Sequence, residues 1–213
     1  MTVQLAIQQL EIPEGQRLRL RHINWQEFEA ILEELGEHRA SRVAYFNGTL
    51  EVRMPLPEHE VDKELIGDLV KLILDTLELD FECFGSTTFK RQDMKSGIEP
   101  DTCFYIQNHS QMVGKRRVDL TVDPPPDLAI EIDVTSMTQL AAYEALKVAE
   151  LWCYCDRKLS IYTLQGDRYI ETTVSPTLPT LALGSEIPRF VEIAIAEGRG
   201  RAMKACRQWL ASA

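Results

Sequence analysis

One run constrains the fold more than any other: Asp127-Leu128-Ala129-Ile130-Glu131-Ile132-Asp133-Val134, entered through Pro124-Pro125-Pro126. It alternates with period two, which predicts a β-strand. Leu128, Ile130, Ile132 and Val134 face one side, and Asp127, Ala129, Glu131 and Asp133 the other. A second strand-like run, Asp101 to Ile106, opens on a carboxylate. Residues two apart on a strand lie about 6.6 Å apart with side chains on the same face, so Glu131 and Asp133 are neighbours in this reading. If Asp101 comes from an adjacent strand, three carboxylates converge. Like charges that close repel, and one takes up a proton unless a cation neutralises them. Mg²⁺, a hard ion bound by carboxylates and water, suits such a cluster. There it polarises a phosphodiester, lowers the pKa of a bound water and steadies the leaving oxygen. The alternative is that these acids form the solvated face of a strand.

The rest of the chain reads as alternating helices and strands. Arg17 to Arg21 is extended, with arginines alternating with leucines. Asn24 and Glu27 form a capping-box pattern ahead of a helix with Phe28, Ile31, Leu32 and Leu35, ended by Gly36. Arg42 to Arg53 is a hairpin turning at Asn47-Gly48. Glu58 to Leu79 is a long helix whose buried stripe runs through Val61, Leu65, Leu69, Leu72, Ile73 and Leu77. Acids in its first turn suit the helix dipole, or one of them points at the central site. Two short strands flank Gly85, and Arg91 to Gly97 is a polar loop. Asn108 to Asp119 is a basic excursion. Thr138 caps a helix reaching about Ala149, and three antiparallel strands follow between Leu151 and Val174. Ser175 to Pro188 reads as a loop, and residues 189–213 as a helical tail broken near Gly198. The expected fold class is α/β, an α+β mixed sheet flanked by helices, in a single domain over residues 1–213.

Bulk properties exclude several classes. The chain has 213 residues, 45% apolar and 26% charged, which fits a globular protein. No apolar run is long enough to span a bilayer, and the N-terminus lacks the pattern of a secretory signal. The five cysteines form no CxxC pair, as expected for free thiols in a cytoplasmic protein. A net charge of −10 argues against a protein that coats nucleic acid through a general basic surface. It leaves room for a nuclease that binds through a local patch.

The motifs add a resemblance. Glu99-Pro100-Asp101, followed about thirty residues later by Glu131-Ile132-Asp133, resembles the PD-(D/E)xK signature of the restriction-endonuclease-like superfamily. Further pieces are Pro55 to Glu60, Gly85 to Phe89, Phe104 to Asn108, Asp123 to Asp127, Glu131 to Ser136, and Tyr143 to Leu146 with Glu150-Leu151-Trp152. In order, they are similar to the family of putative restriction endonucleases once described only as a domain of unknown function. The resemblance spans roughly residues 40–190. It implies a restriction-endonuclease-like core, preceded by the N-terminal helix and hairpin. It also implies Asp101 and Glu131 as metal ligands, the carbonyl of Ile132 as a third, and Glu60 as an extra acid from the long helix.

The sequence departs from this pattern in its positive charge. The superfamily lysine belongs two residues after Glu131, where Asp133 stands. In the family the basic residue moves to the following helix, four residues before the tyrosine that corresponds to Tyr143, and Gln139 stands there. Lys147, one turn past Tyr143, is the remaining candidate stabiliser, positioned either to swing back or to sit at the surface. Lys90 and Lys95 are further candidates. The resulting expectation is an endonuclease that hydrolyses DNA with Mg²⁺, or Mn²⁺ in its place, through Asp101, Glu131, Asp133, Glu60 and Lys147. It is weakened by loss of the usual lysine, and a homodimer is the expected assembly. The alternative is a nuclease-derived DNA-binding or regulatory module without catalysis.

Overall fold

The hairpin at Asn47-Gly48 seeds the first of two sheets. Both turn residues have positive φ, 45° and 85°, as a two-residue hairpin turn requires. In the computed structural model, which describes residues 7–36, 39–85, 87–133 and 136–212, a short 3₁₀ turn (Ile7–Gln9) leads into β1 (Arg17–Arg21). Helix α1 (Trp25–Leu35) carries the predicted capping box: the Asn24 side chain accepts from Glu27 N, and Glu27 accepts from Asn24 N. Strands β2 (Arg42–Phe46) and β3 (Thr49–Arg53) form the hairpin, and α2 (Pro57–Thr76) follows. Pro57 sits in the first turn of α2, where its missing N–H costs nothing. Leu65, Leu69 and Ile73 are buried along this helix, but Val61, expected in the same stripe, is exposed.

After β4 (Glu82–Gly85) and β5 (Phe89–Arg91), the stretch expected to be loop contains β6 (Ser96–Ile98), antiparallel to β5 and β2. Three residues are too few to show a period. Gly97 is required here: a β-carbon on it would lie 2.7 Å from the Phe28 ring, which stacks on Tyr45 at 4.4 Å. Strand β7 (Thr102–Tyr105), the one-turn α3 (His109–Met112), β8 (Leu128–Ile132) and α4 (Met137–Leu146) come next. The cap of α4 is Ser136, whose side chain accepts from Thr138 N, two residues before the expected Thr138. Strands β9 (Glu150–Cys155), β10 (Lys158–Gln165) and β11 (Arg168–Thr172) match expectation. Helix α5 (Leu183–Glu197) starts inside the stretch read as loop and includes Pro188. Its buried stripe of Leu183, Ile187, Phe190 and Val191 outweighs the proline, since packing supplies most helix stability. Gly198 separates α5 from α6 (Arg199–Leu210).

The strands form two sheets, β1-β3-β2-β6-β5 and β11-β10-β9-β8-β7-β4. The second is mixed: β8 and β9 run parallel, and its other pairs are antiparallel. One face of β8, through Leu128, Ile130 and Ile132, joins the core formed with α2, α5 and α6. The other face, at Ala129, joins a second core with Tyr143 and Leu146 of α4 and with Ala44 and Ile98 of the first sheet. Leu128, Ile130 and Ile132, each contributing about 1.5–3 kcal/mol when buried, fix the register. The polar-looking face of β8 is therefore covered, not solvated. Among the described residues no helix is long and apolar enough to cross a membrane.

Candidate active site

Asp101 and Glu131 come together because β7 pairs with β8. Thr102 lies opposite Ile130, which brings the residue before β7 to the end of β8. There Asp101 Oδ2 accepts from Ile132 N at 2.8 Å. Glu131 is fully buried and Asp101 nearly so. Tyr143, from α4, donates its hydroxyl to Glu131 Oε1 at 2.5 Å.

The centre of the cluster is held by Arg53, the last residue of β3. Its Nη2 donates to Glu131 Oε2 at 2.6 Å and to Asp101 Oδ1 at 3.1 Å, and its Nη1 to the Ile132 carbonyl at 3.3 Å. One guanidinium thus touches each of the three oxygens expected to bind a metal. Arg53 shares a strand face with Glu51, which accepts from Arg19, Ser136 and Thr138. Leu50 and Val52, on the opposite face, pack against Phe28. A second arginine, Arg42, stands behind, its Nε 4.0 Å from Asp101 Oδ1 and without a hydrogen-bond partner of its own.

Electrostatics follow from burial. Loss of water pushes the Glu131 carboxyl up to about 8; Arg53 pulls it back down, and the neighbouring Asp101 adds to the rise. Burial works against the charge on Arg53, but Glu131 and Asp101 outweigh it, so its pKa is raised and it stays cationic. Burial, then Glu131, hold Tyr143 well above its usual range, so it remains a hydroxyl donor. Arg53, and Arg42 at 4.0 Å, set positive charge beside Asp101, while burial shifts Glu131 toward its acid form.

The other predicted residues lie elsewhere. Asp133 does not share the face of Glu131: β8 ends at Ile132, and Asp133 has φ of 58°. That left-handed turn sends its half-exposed side chain to His59 of α2. Glu60 is half-exposed; among the described residues it meets the cluster through Arg42, at 3.4 Å, while also pairing with Lys63 at 2.6 Å. Lys147 ends α4 in a left-handed conformation and pairs with Asp167 at the surface. Lys90 pairs with Glu29 at 2.7 Å. Val134, Thr135 and Ser86, parts of the motifs above, lie outside the described residues. Gln139 is buried and lines a cleft of about 350 Å³ with Arg17, Arg53, His59, Asp133 and Cys155. Sequence reasoning missed Arg53 and the contact from Tyr143 to Glu131. The only local sign of Arg53 is a charge ending a strand with apolar neighbours, and its partners are 48 and 78 residues away.

The donors at this point suit a hard divalent cation in kind: two carboxylates and a carbonyl. An ion bound to oxygens at about 2.0–2.6 Å cannot share that point with a guanidinium, so these donors fit a metal with Arg53 displaced. Among the described residues, no three His, Cys, Asp or Glu side chains form a group that could hold a metal ion.

A buried Asp–Glu pair thus lies where two adjacent strands of a mixed, helix-flanked sheet meet, in an α/β protein. The family model described as Uma2, putative restriction endonuclease, matches residues 25–196, and the chain belongs to that family. A solved structure of a putative nuclease belonging to DUF820 from Anabaena variabilis ATCC 29413 is 16% identical. The match covers 68% of this chain and 88% of that one, with a TM-score of 0.46. No curated protein matches.

Proposed function

We propose that the chain is a DNA-directed phosphodiesterase whose centre is Asp101 and Glu131. The observation that carries this reading is the convergence of two carboxylates and the Ile132 carbonyl on one cation position, in a chain of a family described as putative restriction endonucleases. Asp101, Glu131 and the Ile132 carbonyl would hold Mg²⁺, or Mn²⁺ in its place. When bound, such an ion polarises a phosphodiester and makes a bound water a nucleophile near neutral pH.

The chain's own residues prepare the site. Tyr143 fixes one oxygen of Glu131, and the Ile132 N–H fixes one of Asp101, so the other oxygen of each points at the cation position. Arg17 and Arg53 line the adjoining cleft, and a guanidinium is a strong donor to phosphate oxygens. With a net charge of −10, affinity for DNA rests on this local patch. A homodimer would let two such centres cut both strands of a duplex.

Nicking of supercoiled plasmid tests the reading. Wild type is expected to nick slowly in Mg²⁺ or Mn²⁺, and Asp101→Ala not at all. Absence of cleavage by wild type, or equal cleavage by the variant, would sink it. A second reading, a nuclease-derived module that binds DNA without cutting it, is favoured by the hold of Arg53 on all three oxygens. Gln139 and Asp133, at positions where the resemblance expects positive charge, favour it too. It predicts retention of a labelled duplex with no cleavage in either metal.

A further inference from the structure

The oxygens of this centre already have a cation. Arg53 does not make an ordinary ion pair, which needs one carboxylate. It donates to Glu131 Oε2, Asp101 Oδ1 and the main-chain carbonyl of Ile132 at once. A planar guanidinium fork can satisfy several acceptors in this way, where an ammonium acts as a point charge. Arg53 is tethered at the end of β3, the middle strand between β1 and β2, so its local concentration at the site is fixed by the fold. Its side chain is 16% exposed and borders the cleft shared with Gln139. The positive charge absent from Gln139 on α4 thus reaches the same cleft from a different element, β3.

We propose that Arg53 is an intramolecular counter-ion that competes with a divalent cation for Asp101, Glu131 and the Ile132 carbonyl. This rests on reading those three groups as a metal-ligand set. In the metal-free protein the guanidinium sets its positive charge beside both acids and holds their side chains in place. A divalent ion enters only by displacing it, and the space into which Arg53 can move is the cleft beside Gln139. Metal affinity is therefore set by the energy of this internal contact as well as by the ligands. Arg53 acts here through the ligands and is a positioning residue.

Calorimetric titration of Mn²⁺ separates the possibilities without reference to cleavage. Arg53→Gln removes the competing charge and is expected to bind one Mn²⁺ at least about tenfold more tightly than wild type. Arg53→Gln combined with Asp101→Asn is expected to lose that gain. Arg53→Lys, which keeps charge but not the fork, is expected to fall between wild type and Arg53→Gln. It decides the question if Arg53→Gln gives no cooperative melt. Equal affinity of wild type and the folded Arg53 variants, or no binding by any of them, would overturn the proposal. Tighter binding by Arg53→Gln with no DNA cleavage by any form would uphold the counter-ion role and reject the phosphodiesterase reading instead.

Discussion

Buried carboxylates stand at both ends of β8, and they are satisfied by different means. At the start, Asp127 accepts from Ile106 N at 2.7 Å, Asn108 N at 3.0 Å and Asn108 Nδ2 at 2.6 Å. Beside it, Glu150 of β9 accepts from Trp152 Nε1 at 2.5 Å, from Thr177 N at 3.1 Å and from Thr177 Oγ1 at 2.6 Å. All these donors are neutral and built into the chain. At the far end, Glu131 has one neutral donor, Tyr143, and shares Arg53 with Asp101. Both ends obey the rule that buried polar groups find partners. A buried acid with a full set of neutral donors is architecture. A buried pair that shares one arginine is, on the proposal above, a site where a divalent ion competes with that arginine.

The contrast is broken most forcefully by removing the cation. Breaking a buried ion pair from one side costs about 3–5 kcal/mol, and Arg53→Gln is expected to lose that much in urea denaturation without metal. Saturating Mn²⁺ should restore a large part of it, because a ligand that binds only the folded state adds stability. At the other end, Asp127→Asn turns a donor toward groups that already donate. A loss of about 1–3 kcal/mol with no response to Mn²⁺ is expected. Rescue of Asp127→Asn by Mn²⁺ would erase the distinction between the two ends.

The difference also has a pH signature. The Glu131 carboxyl is raised from its ordinary 4.5 to about 8, so the folded state holds its proton more tightly than the unfolded chain. Its contribution to stability is complete below about 4.5 and is lost as pH rises toward 8. The slope is at most about 1.4 kcal/mol per pH unit. Glu131→Gln should flatten this part of the profile, measured by urea melts between those limits and compared with wild type. The smallest effect belongs to Lys147→Ala. Its partner Asp167 is exposed, and such surface pairs contribute little, so stability should change by less than about 0.5 kcal/mol. Affinity for Mn²⁺ should not change.

Much of this arrangement was legible in the sequence, and the unread part has physical causes. The Asn47-Gly48 turn and the Asn24–Glu27 box are local chemistry and read directly. The alternation in β8 placed Glu131 opposite Ile130 and Ile132, and the spaced motifs named Asp101 as its partner. Alternation failed at Asp133 because one left-handed residue ends the period and redirects the side chain. The strand carrying Glu51 and Arg53 does not by itself reveal what covers its charged face. Here it is covered by the start of α4 and the end of β8. A partner 78 residues distant leaves no mark on local pattern, and the motif itself points to lysines close by. It lies instead in a hairpin that looked complete on its own.

The account turns on one position in space, between Asp101, Glu131 and the Ile132 carbonyl. Anomalous X-ray scattering from crystals of wild type and Arg53→Gln, soaked at a Mn²⁺ concentration that just saturates the variant, examines it directly. The expected result is a manganese peak within about 2.0–2.6 Å of those oxygens in Arg53→Gln. Wild type should show a much weaker peak there, with the guanidinium in place wherever the ion is absent. A manganese peak in wild type with Arg53 still touching both carboxylates would contradict the account.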